Sequence, residues 1–336
     1  MLTVALPNMI EMLKATAPGV GSNKILPSLS CIGIKGGVGM TWNTTFGTIF
    51  NNAPEGLEAT VEHKKLLDLL QTYDGDAVQV AVENQKFHIK GSTGSAVSLP
   101  CLPLDDFPFF DIDLKAFKPL EDEHFIDALK ICLLSTTPTS TGNGNPVFWG
   151  IEFGGNYLFS TDGQRASYYT VKTPLKGVVV PRTLMETIAK MGSPEAMYAK
   201  DRFVFFKYDK VILYGLVLQD KYPPTYVAKL KEACATEGVP LPAGAKMFGR
   251  RAAAVDVQHF KYDQKKKWFR TEATTGSVEE PLDLGLADFA MSTAHFTDIC
   301  ATATKIGLFD VGKDKAPFIA FLCDLPGVHT IAQWIS

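Results

Sequence analysis

The stretch CIGIKGG, residues 31–37, has a counterpart in FWGIEFGG, residues 148–155. Both contain Gly-Ile, then one or two residues, then Gly-Gly, and Gly33 and Gly150 lie 117 residues apart. A short apolar segment that ends in Gly-Gly is typical of a strand entering a tight turn. The recurrence indicates that the chain consists of repeated structural units.

Two further landmarks recur in the same order. An amphipathic helix is predicted at HKKLLDLLQTY, residues 63–73, and another at PRTLMETIAKM, residues 181–191, about one repeat length later. Phe107-Pro108 and Tyr222-Pro223 then close the two segments, 115 residues apart. Three landmarks at nearly equal offsets support a tandem repeat.

A third unit is predicted over the remaining residues, with helices near 245–255 and 294–305 followed by strands. Its first helix matches predicted helices at 7–17 and 123–134 in the earlier units. Each unit therefore has a helix, strands, a second helix and more strands. This pattern predicts an α+β fold with three tandem domains, at residues 1–113, 114–226 and 227–336.

Composition limits the classes of function. The 336 residues carry a formal net charge of −3, and no apolar run reaches the roughly 18–20 residues that cross a bilayer. The N-terminus lacks the basic start of a secretory signal. Six scattered cysteines match neither a zinc site nor a disulfide framework. We expect a reduced, cytoplasmic protein with no metal or other cofactor.

IKGGVGMTW, residues 34–42, resembles the start of a nucleotide-binding loop. A phosphate loop leads into a helix, whereas the residues after Gly39 favour a strand. Met40 also stands where the phosphate-binding lysine belongs. A hairpin turn is therefore the favoured interpretation.

Asp162 and Arg165 are the strongest candidates for chemistry. In the segment STDGQR they could belong to a phosphate or metal site of a phosphohydrolase or nuclease. The alternative is a tight Asp-Gly turn with Thr161 and Arg165 on adjoining strands. No histidine has metal-ligand spacing, so we favour the turn and predict no catalytic residue.

Basic residues recur on or beside the predicted helices. If all helices lined one surface, these charges would form a weak positive track on an acidic protein, suited to phosphates rather than to base sequence. The residues are Lys14, Lys24, Lys64, Lys130, Arg182, Lys190, Arg250 and Arg251.

Over nearly its whole length the sequence resembles the bacterial β sliding clamp, the processivity factor of the replicative DNA polymerase. KILPSLSCIGI (24–34) is similar to the segment that leads into the family's first strand. FSTDGQRASYY (159–169) is similar to its Thr-Asp-Gly-His-Arg-Leu signature, and VVVPRTLMETI (178–188) to its Val-Pro-Arg helix start.

The resemblance implies three clamp domains, each with two helices backed by antiparallel sheet, and two chains that close into a ring around duplex DNA. It implies a non-enzymatic homodimer in the bacterial cytoplasm or nucleoid, or in host cytoplasm if phage-encoded. Implied partners are DNA without sequence preference, the replicative polymerase, the clamp loader and other clamp-motif proteins. The alternative within the family is a homologue that no longer loads onto DNA.

The resemblance also assigns site residues. Phe107 on one chain and Ala254 and Val255 on the other match interface positions. Gln164 replaces the usual His, Ala166 and Phe148 replace Leu, and AQWIS replaces the usual Met-Pro-Met-Arg-Leu tail. The implied pocket for a partner peptide consists of Phe148, Thr161, Gly163, Gln164, Arg165, Ala166, Pro223, Pro224, Trp334 and Ile335.

Overall fold

The computed structural model describes residues 1–22, 26–138, 145–273, 276–310 and 317–333, with the backbone alone at 272 and 273. Six helices occupy segments predicted from the sequence, whereas α5 is not predicted. None of the described helices has the length and apolar character that a membrane crossing requires. The helices are α1 (Leu6–Thr16), α2 (His63–Leu70), α3 (Phe125–Leu134), α4 (Arg182–Met191), α5 (Pro224–Ala233), α6 (Ala243–Ala254) and α7 (Thr293–Cys300).

Twenty-four antiparallel strands accompany these helices in the described residues. The first twelve are β1 (Leu2–Ala5), β2 (Cys31–Lys35), β3 (Val38–Trp42), β4 (Phe46–Phe50), β5 (Ala59–Glu62), β6 (Ala77–Glu83), β7 (Lys86–Lys90), β8 (Ala96–Pro100), β9 (Lys118–Pro119), β10 (Gly150–Gly154), β11 (Tyr157–Thr161) and β12 (Arg165–Thr170). The others are β13 (Lys176–Pro181), β14 (Ala196–Lys200), β15 (Phe203–Lys207), β16 (Val211–Leu216), β17 (Val239–Pro240), β18 (His259–Asp263), β19 (Trp268–Ala273), β20 (Gly276–Pro281), β21 (Phe289–Ser292), β22 (Lys305–Phe309), β23 (Phe318–Leu322) and β24 (Gly327–Ile331). Together with the helices they confirm the predicted α+β class.

Unit 1 comprises residues 1–120 and 194–217. It contains a four-stranded sheet, β1-β6-β7-β8, and an eight-stranded sheet, β5-β2-β3-β4-β16-β15-β14-β9. Helix α1 packs on β3, β4 and α2, and it buries Met9, Met12 and Leu13. The spacing of these three side chains is that of one helix face, which explains why the sequence pattern predicts α1.

Unit 2 comprises residues 121–193 and 218–336. Its sheets are β13-β10-β11-β12-β24-β23-β22-β17 and β20-β19-β18-β21. Helices α3 and α4 pack together, as do α6 and α7, while α5 packs on β12 and β24. The pairs repeat the arrangement of α1 and α2 in unit 1.

The two units follow long-range strand pairs rather than the sequence repeats. Strand β16 pairs with β4 through registers such as Tyr214 with Gly47, and residues 194–217 of the middle repeat belong to unit 1. The domain boundaries at 113 and 226 therefore remain predictions based on the repeat alone.

The Gly36-Gly37 segment is a hairpin turn, as the sequence favours. Lys35 pairs with Val38, and the two glycines between them have φ values of 57° and 74°. Glycine adopts positive φ at both central positions without a steric penalty. Because residues 38–42 form a strand, the nucleotide-loop alternative is wrong.

Candidate functional site

The segment Thr161–Arg165, called here the pocket turn, connects β11 to β12 in unit 2. Asp162 Oδ1 accepts hydrogen bonds from the backbone N–H groups of Gln164 (2.9 Å) and Arg165 (2.7 Å). Gly163 has a φ of 90°, which an L side chain rarely adopts. The tight turn favoured by the sequence is confirmed, and it explains the choice of Asp and Gly.

The hydroxyl of Thr161 secures the same turn. Its Oγ1 donates to the carbonyl of Arg165 at 2.6 Å and accepts from the N–H of Gly163 at 3.1 Å. Thr161 is 6% exposed, so these hydrogen bonds have little competition from water. The turn is thus a fixed structure, with a hydrogen bond that joins its first and last residues.

Aromatic rings form a wall beside the pocket turn. Phe148 Cε2 lies 3.7 Å from the position that a Cβ on Gly163 would take, so a larger residue there would contact the ring. Phe148 also stacks on Tyr222, with ring centroids 6.3 Å apart, and Tyr222 meets Phe159 edge to face at 4.9 Å. The half-buried Phe148 is the outermost of these rings.

Tyr222 anchors this wall to the sheet. Its hydroxyl donates to the carbonyl of Gly150 at 3.0 Å and lies 3.4 Å from the N–H of Thr161. Burial raises the pKa of Tyr222, so the phenol stays protonated and remains a donor at neutral pH. Sequence reasoning uses Tyr222 only as a repeat landmark and misses its place in the site.

Helix α5 supplies the next side of the site. Pro223 is its N-cap and Pro224 its first residue, and both are exposed. Val227 on α5 and Ala166 on β12 are half-buried members of one apolar cluster that also contains Tyr222. The predicted pocket alanine therefore belongs to the same apolar cluster as Val227, and the predicted pocket prolines begin the helix that carries Val227.

Three charged groups surround the outer end of the pocket turn. Arg165 Nε lies 3.0 Å from Asp162 Oδ2, and its Nη1 lies 3.2 Å from Asp298 Oδ2 on α7. The neighbouring His295 has its pKa lowered, first by burial and then by Arg165, so it is neutral at pH 7. One cation and two anions give this group of side chains a net negative charge.

A buried histidine lies on the face of the sheet opposite to that of Ala166. Ser167 Oγ is 2.8 Å from His329 Nδ1, and Ser135 Oγ is 3.3 Å from the same nitrogen. Burial lowers the pKa of His329 to about 3, with a smaller contribution from Arg165. His329 is fully buried, so this serine–histidine arrangement stabilises the junction of β12 and β24 rather than meeting a substrate.

The structure brings eight of the ten predicted pocket residues to one region: Phe148, Thr161, Gly163, Gln164, Arg165, Ala166, Pro223 and Pro224. Trp334 and Ile335 lie outside the described residues. The C-terminal segment does reach the pocket turn, because the N–H of Ala332 donates to the carbonyl of Gln164 at 2.8 Å. Within the described residues, no group of three or more His, Cys, Asp or Glu side chains could hold a metal ion.

Six of the predicted DNA-facing residues are exposed on their helices: Lys14, Lys64, Lys130, Lys190, Arg250 and Arg251. Lys24 lies outside the described residues. Arg251 forms an ion pair with Glu280. These positions leave most of the predicted positive charge available to solvent.

Arg182 has a different environment from the other basic residues. Its Nη1 donates to the carbonyl of Thr136 at 2.6 Å, just beyond the end of α3, and its Nε pairs with Glu186 at 2.6 Å. A guanidinium at the end of a helix satisfies carbonyls that lack helical partners. Arg182 thus holds α3 against α4, a role that the sequence does not reveal.

The predicted interface residues also differ in exposure. Phe107 is 4% exposed in the isolated chain and packs on Phe109 at 4.9 Å, so it has little area left for a partner. Ala254 is exposed and Val255 half-buried. Val255 lies 3.4 Å from the position of a Cβ on Gly276, the first residue of β20.

No protein-family model matches the chain, and no curated protein matches it in sequence. Solved structures match over the whole chain. The DNA polymerase sliding clamp from Pseudomonas aeruginosa, with ligand, has a TM-score of 0.79 at 15% identity and covers 100% of this chain and 99% of that one.

The sliding clamp from Bacillus subtilis has a TM-score of 0.77 at 13% identity, with coverage of 99% and 98%. The Helicobacter pylori beta clamp bound to a DNA ligase peptide has a TM-score of 0.76 at 14% identity, with 99% of each chain covered. The chain therefore has the fold of these sliding clamps, as the resemblance implies.

Proposed function

We propose that this protein is a DNA sliding clamp, which encircles duplex DNA and tethers a replicative polymerase and other proteins through the pocket turn. The observation that carries the proposal is the convergence of the predicted pocket residues on one apolar, hydrogen-bonded site within a clamp fold. A solved neighbour with that fold is bound to a ligase peptide. The same mode of binding fits this chain.

The strand order supports assembly into a homodimer. Inside the chain, the third strand of one three-stranded meander pairs with the third strand of another: β4 with β16, and β12 with β24. Strands β8 and β20 are also third strands, and each ends its sheet within the described residues. Unpaired edges invite pairing with another chain.

We therefore expect β8 of one chain to pair with β20 of its partner. Such a contact is head to tail, and it produces a closed ring when the rotation closes after two copies. Val255 lies 3.4 Å from the Cβ position of Gly276 on β20, so in this ring Ala254 and Val255 lie beside the interface. Phe107 packs on Phe109 within an apolar cluster of its own unit, and it contributes little contact area to the interface.

Charge on the paired helices supports loose contact with DNA. Helices α1–α4, α6 and α7 together carry nine basic and five acidic side chains, a net charge of +4 in a chain of net charge −3. Lys and Arg that neutralise phosphates give affinity without sequence preference. We expect these helices to face the DNA, in a ring that slides.

The pocket turn suits an extended peptide with an apolar end. The stacked Phe148 offers a flat apolar surface, and the exposed residues Gly163 and Gln164 of the pocket turn lie beside it. Peptide sites commonly combine an apolar cleft with a few fixed polar groups. We expect micromolar affinity, about −8 kcal/mol at 1 μM.

We expect no catalytic activity of its own and a cytoplasmic location. The nuclease or phosphohydrolase alternative assigns a reactive role to Asp162. In the structure, Asp162 Oδ1 accepts two backbone hydrogen bonds and Oδ2 pairs with Arg165. A turn-forming role accounts for this carboxylate.

The experiment that tests the assembly is a solution mass measurement. A mass twice the 36.7 kDa of one chain is expected, and Val97→Asp on β8 should produce monomers. Val82→Asp is a matched control, because Val82 lies on β6 in the interior of the same sheet and is 39% exposed, against 38% for Val97. Monomeric wild-type protein, or equal dissociation by both substitutions, would contradict the proposed ring and favour a homologue that no longer loads.

A further inference from the structure

Unit 1 contains a turn with the same design as the pocket turn. Residues 42–46 connect β3 to β4, and Asn43 Oδ1 accepts from the backbone N–H groups of Thr45 (3.1 Å) and Phe46 (2.9 Å). Asn43 and Asp162 lie 119 residues apart, one repeat length. Each side chain caps two consecutive N–H groups at the same point of its meander.

The remaining geometry of the two turns also corresponds. Thr44 has a φ of 79°, where the pocket turn has Gly163 at 90°. The N–H of Leu216 donates to the carbonyl of Thr45 at 3.0 Å, and the corresponding bond at the pocket turn measures 2.8 Å. Residues 42–46, called here the counterpart turn, are therefore the first repeat's version of the pocket turn.

An aromatic side chain from the same unit already occupies the surface at the counterpart turn. The ring of Phe110 lies 5.9 Å from Trp42, 5.0 Å from Phe203 and 5.2 Å from Tyr214, measured between centroids. Trp42 opens the counterpart turn, and Tyr214 lies on the adjacent strand β16. Phe110 thus lies among three aromatic rings at the turn.

Phe110 belongs to an extended segment, residues 108–117, called here the strap. Within the described residues, the strap makes two hydrogen bonds between backbone groups. The N–H of Phe109 donates to the carbonyl of Phe107, just before the strap, and the N–H of Ala116 donates to the carbonyl of Asp113 inside it. Leu114 at its middle is 58% exposed. Side chains rather than ladder hydrogen bonds therefore hold the strap on the sheet, as they would hold an anchored peptide.

We propose that the counterpart turn is part of a second peptide site, closed in cis by Phe110, for an extended peptide with an aromatic anchor followed by an acidic residue. This chemistry is that of Phe110-Asp111 in the strap. The inference rests on the proposed function in assigning peptide binding to turns of this design. When a partner peptide binds, its aromatic ring replaces Phe110 among Trp42, Phe203 and Tyr214.

Tethering explains why the site stays closed. A segment joined to its own site by a short linker has an effective concentration in the millimolar range. A free peptide of equal intrinsic affinity competes poorly at micromolar concentration. Removal of the Phe110 ring should therefore open the site without removing its other walls.

The test is the number of peptides bound per full-length chain, measured by isothermal titration calorimetry. The probe is a capped synthetic peptide with the sequence of residues 107–112, Phe-Pro-Phe-Phe-Asp-Ile. Phe110→Ala should bind one more peptide per chain than the wild-type protein. A second probe has Ala in place of the Phe that corresponds to Phe110. This probe should bind the new site at least tenfold more weakly than the first.

Controls separate the inference from the proposed function. Phe117→Ala removes another strap ring, which packs edge to face on Tyr198 at 4.6 Å, and it should add no site. Phe148→Ala should weaken binding at the pocket turn but leave the additional site of Phe110→Ala unchanged. Loss of one site and retention of the other therefore distinguish the two assignments.

Equal numbers of bound peptides for folded wild-type and Phe110→Ala proteins would overturn the inference, whatever the pocket turn binds. An additional site that also appears in Phe117→Ala would overturn it too. If Phe110→Ala does not melt cooperatively, Phe110→Leu is measured instead, with the same expected increase of one site and the same contrary result.

Discussion

Replacement of Arg182 by Ala should destabilise the protein and have little direct effect on DNA binding. Arg182 Nη1 donates to the carbonyl of Thr136 at 2.6 Å and lies 3.2 Å from its hydroxyl, next to the end of α3. A hydrogen bond to a charged group contributes about 1.5–3 kcal/mol. The ion pair with Glu186, four residues along the helix, adds about 0.3–0.5 kcal/mol.

Because the Arg182 side chain is 24% exposed, we take the lower part of this range and expect a loss of about 2 kcal/mol in the free energy of unfolding. Urea unfolding of the full chain measures it. Lys190→Ala is the matched control, since Lys190 is exposed on the same helix, and it should change stability by less than about 0.5 kcal/mol. Arg182→Lys should recover part of the loss.

DNA binding by the same variants decides between the two roles of Arg182. Charge reversal at Lys14 or Arg250 should weaken binding to a short duplex and reduce its salt dependence. Folded Arg182→Ala protein should bind the duplex with an affinity closer to that of the wild-type protein than either charge-reversal variant does. If Arg182→Ala leaves stability unchanged but weakens DNA binding as much as charge reversal at Arg250, the capping role is refuted. The DNA contact predicted from the sequence is then supported.

Two further substitutions test the site and the buried sheet junction. Asp162→Ala should weaken binding of a pocket peptide about tenfold, or about 1.4 kcal/mol by titration calorimetry, because two N–H groups of the pocket turn lose their acceptor. Asp162→Asn keeps an acceptor oxygen, so it should bind the peptide more tightly than Asp162→Ala. Unchanged binding by the Ala variant would contradict a fixed turn. Because the pKa of His329 is lowered to about 3 in the folded state, the unfolded chain binds its proton first as pH falls below about 6.5. Stability should therefore fall between about pH 6.5 and pH 3, by up to about 1.4 kcal/mol per unit, and urea unfolding of His329→Gln should show a shallower fall; identical slopes would contradict this assignment.

Repetition in the sequence made the fold predictable. Helices such as α1 and α4 were predictable because their apolar residues recur at helical spacing, and the Asp-Gly turn because its residue types suit positive φ. Helix α5 is not predicted because Tyr222-Pro223 recurs at the repeat length from Phe107-Pro108 and so indicates the end of a repeat unit. Proline at the first helical position was the signal that could have revealed it.

Other features depend on contacts between distant residues. The bond from Arg182 to Thr136 spans 46 residues, and no local pattern distinguishes it from an exposed helical arginine. Phe107 matches an interface position by resemblance, yet it packs into the apolar cluster of unit 1. The pairing of β4 with β16, which groups residues 194–217 of the middle repeat with the first repeat, is equally invisible in local sequence.

Retention on circular and linear duplex DNA tests the central claim most directly. The purified protein is incubated at high concentration with nicked circular duplex and separated from free protein by gel filtration. The circle is then cut once with a restriction enzyme. A ring held by topology should stay on the circle and leave after the cut, because weak phosphate contacts alone do not retain it at moderate salt. Equal retention before and after the cut would contradict a sliding clamp.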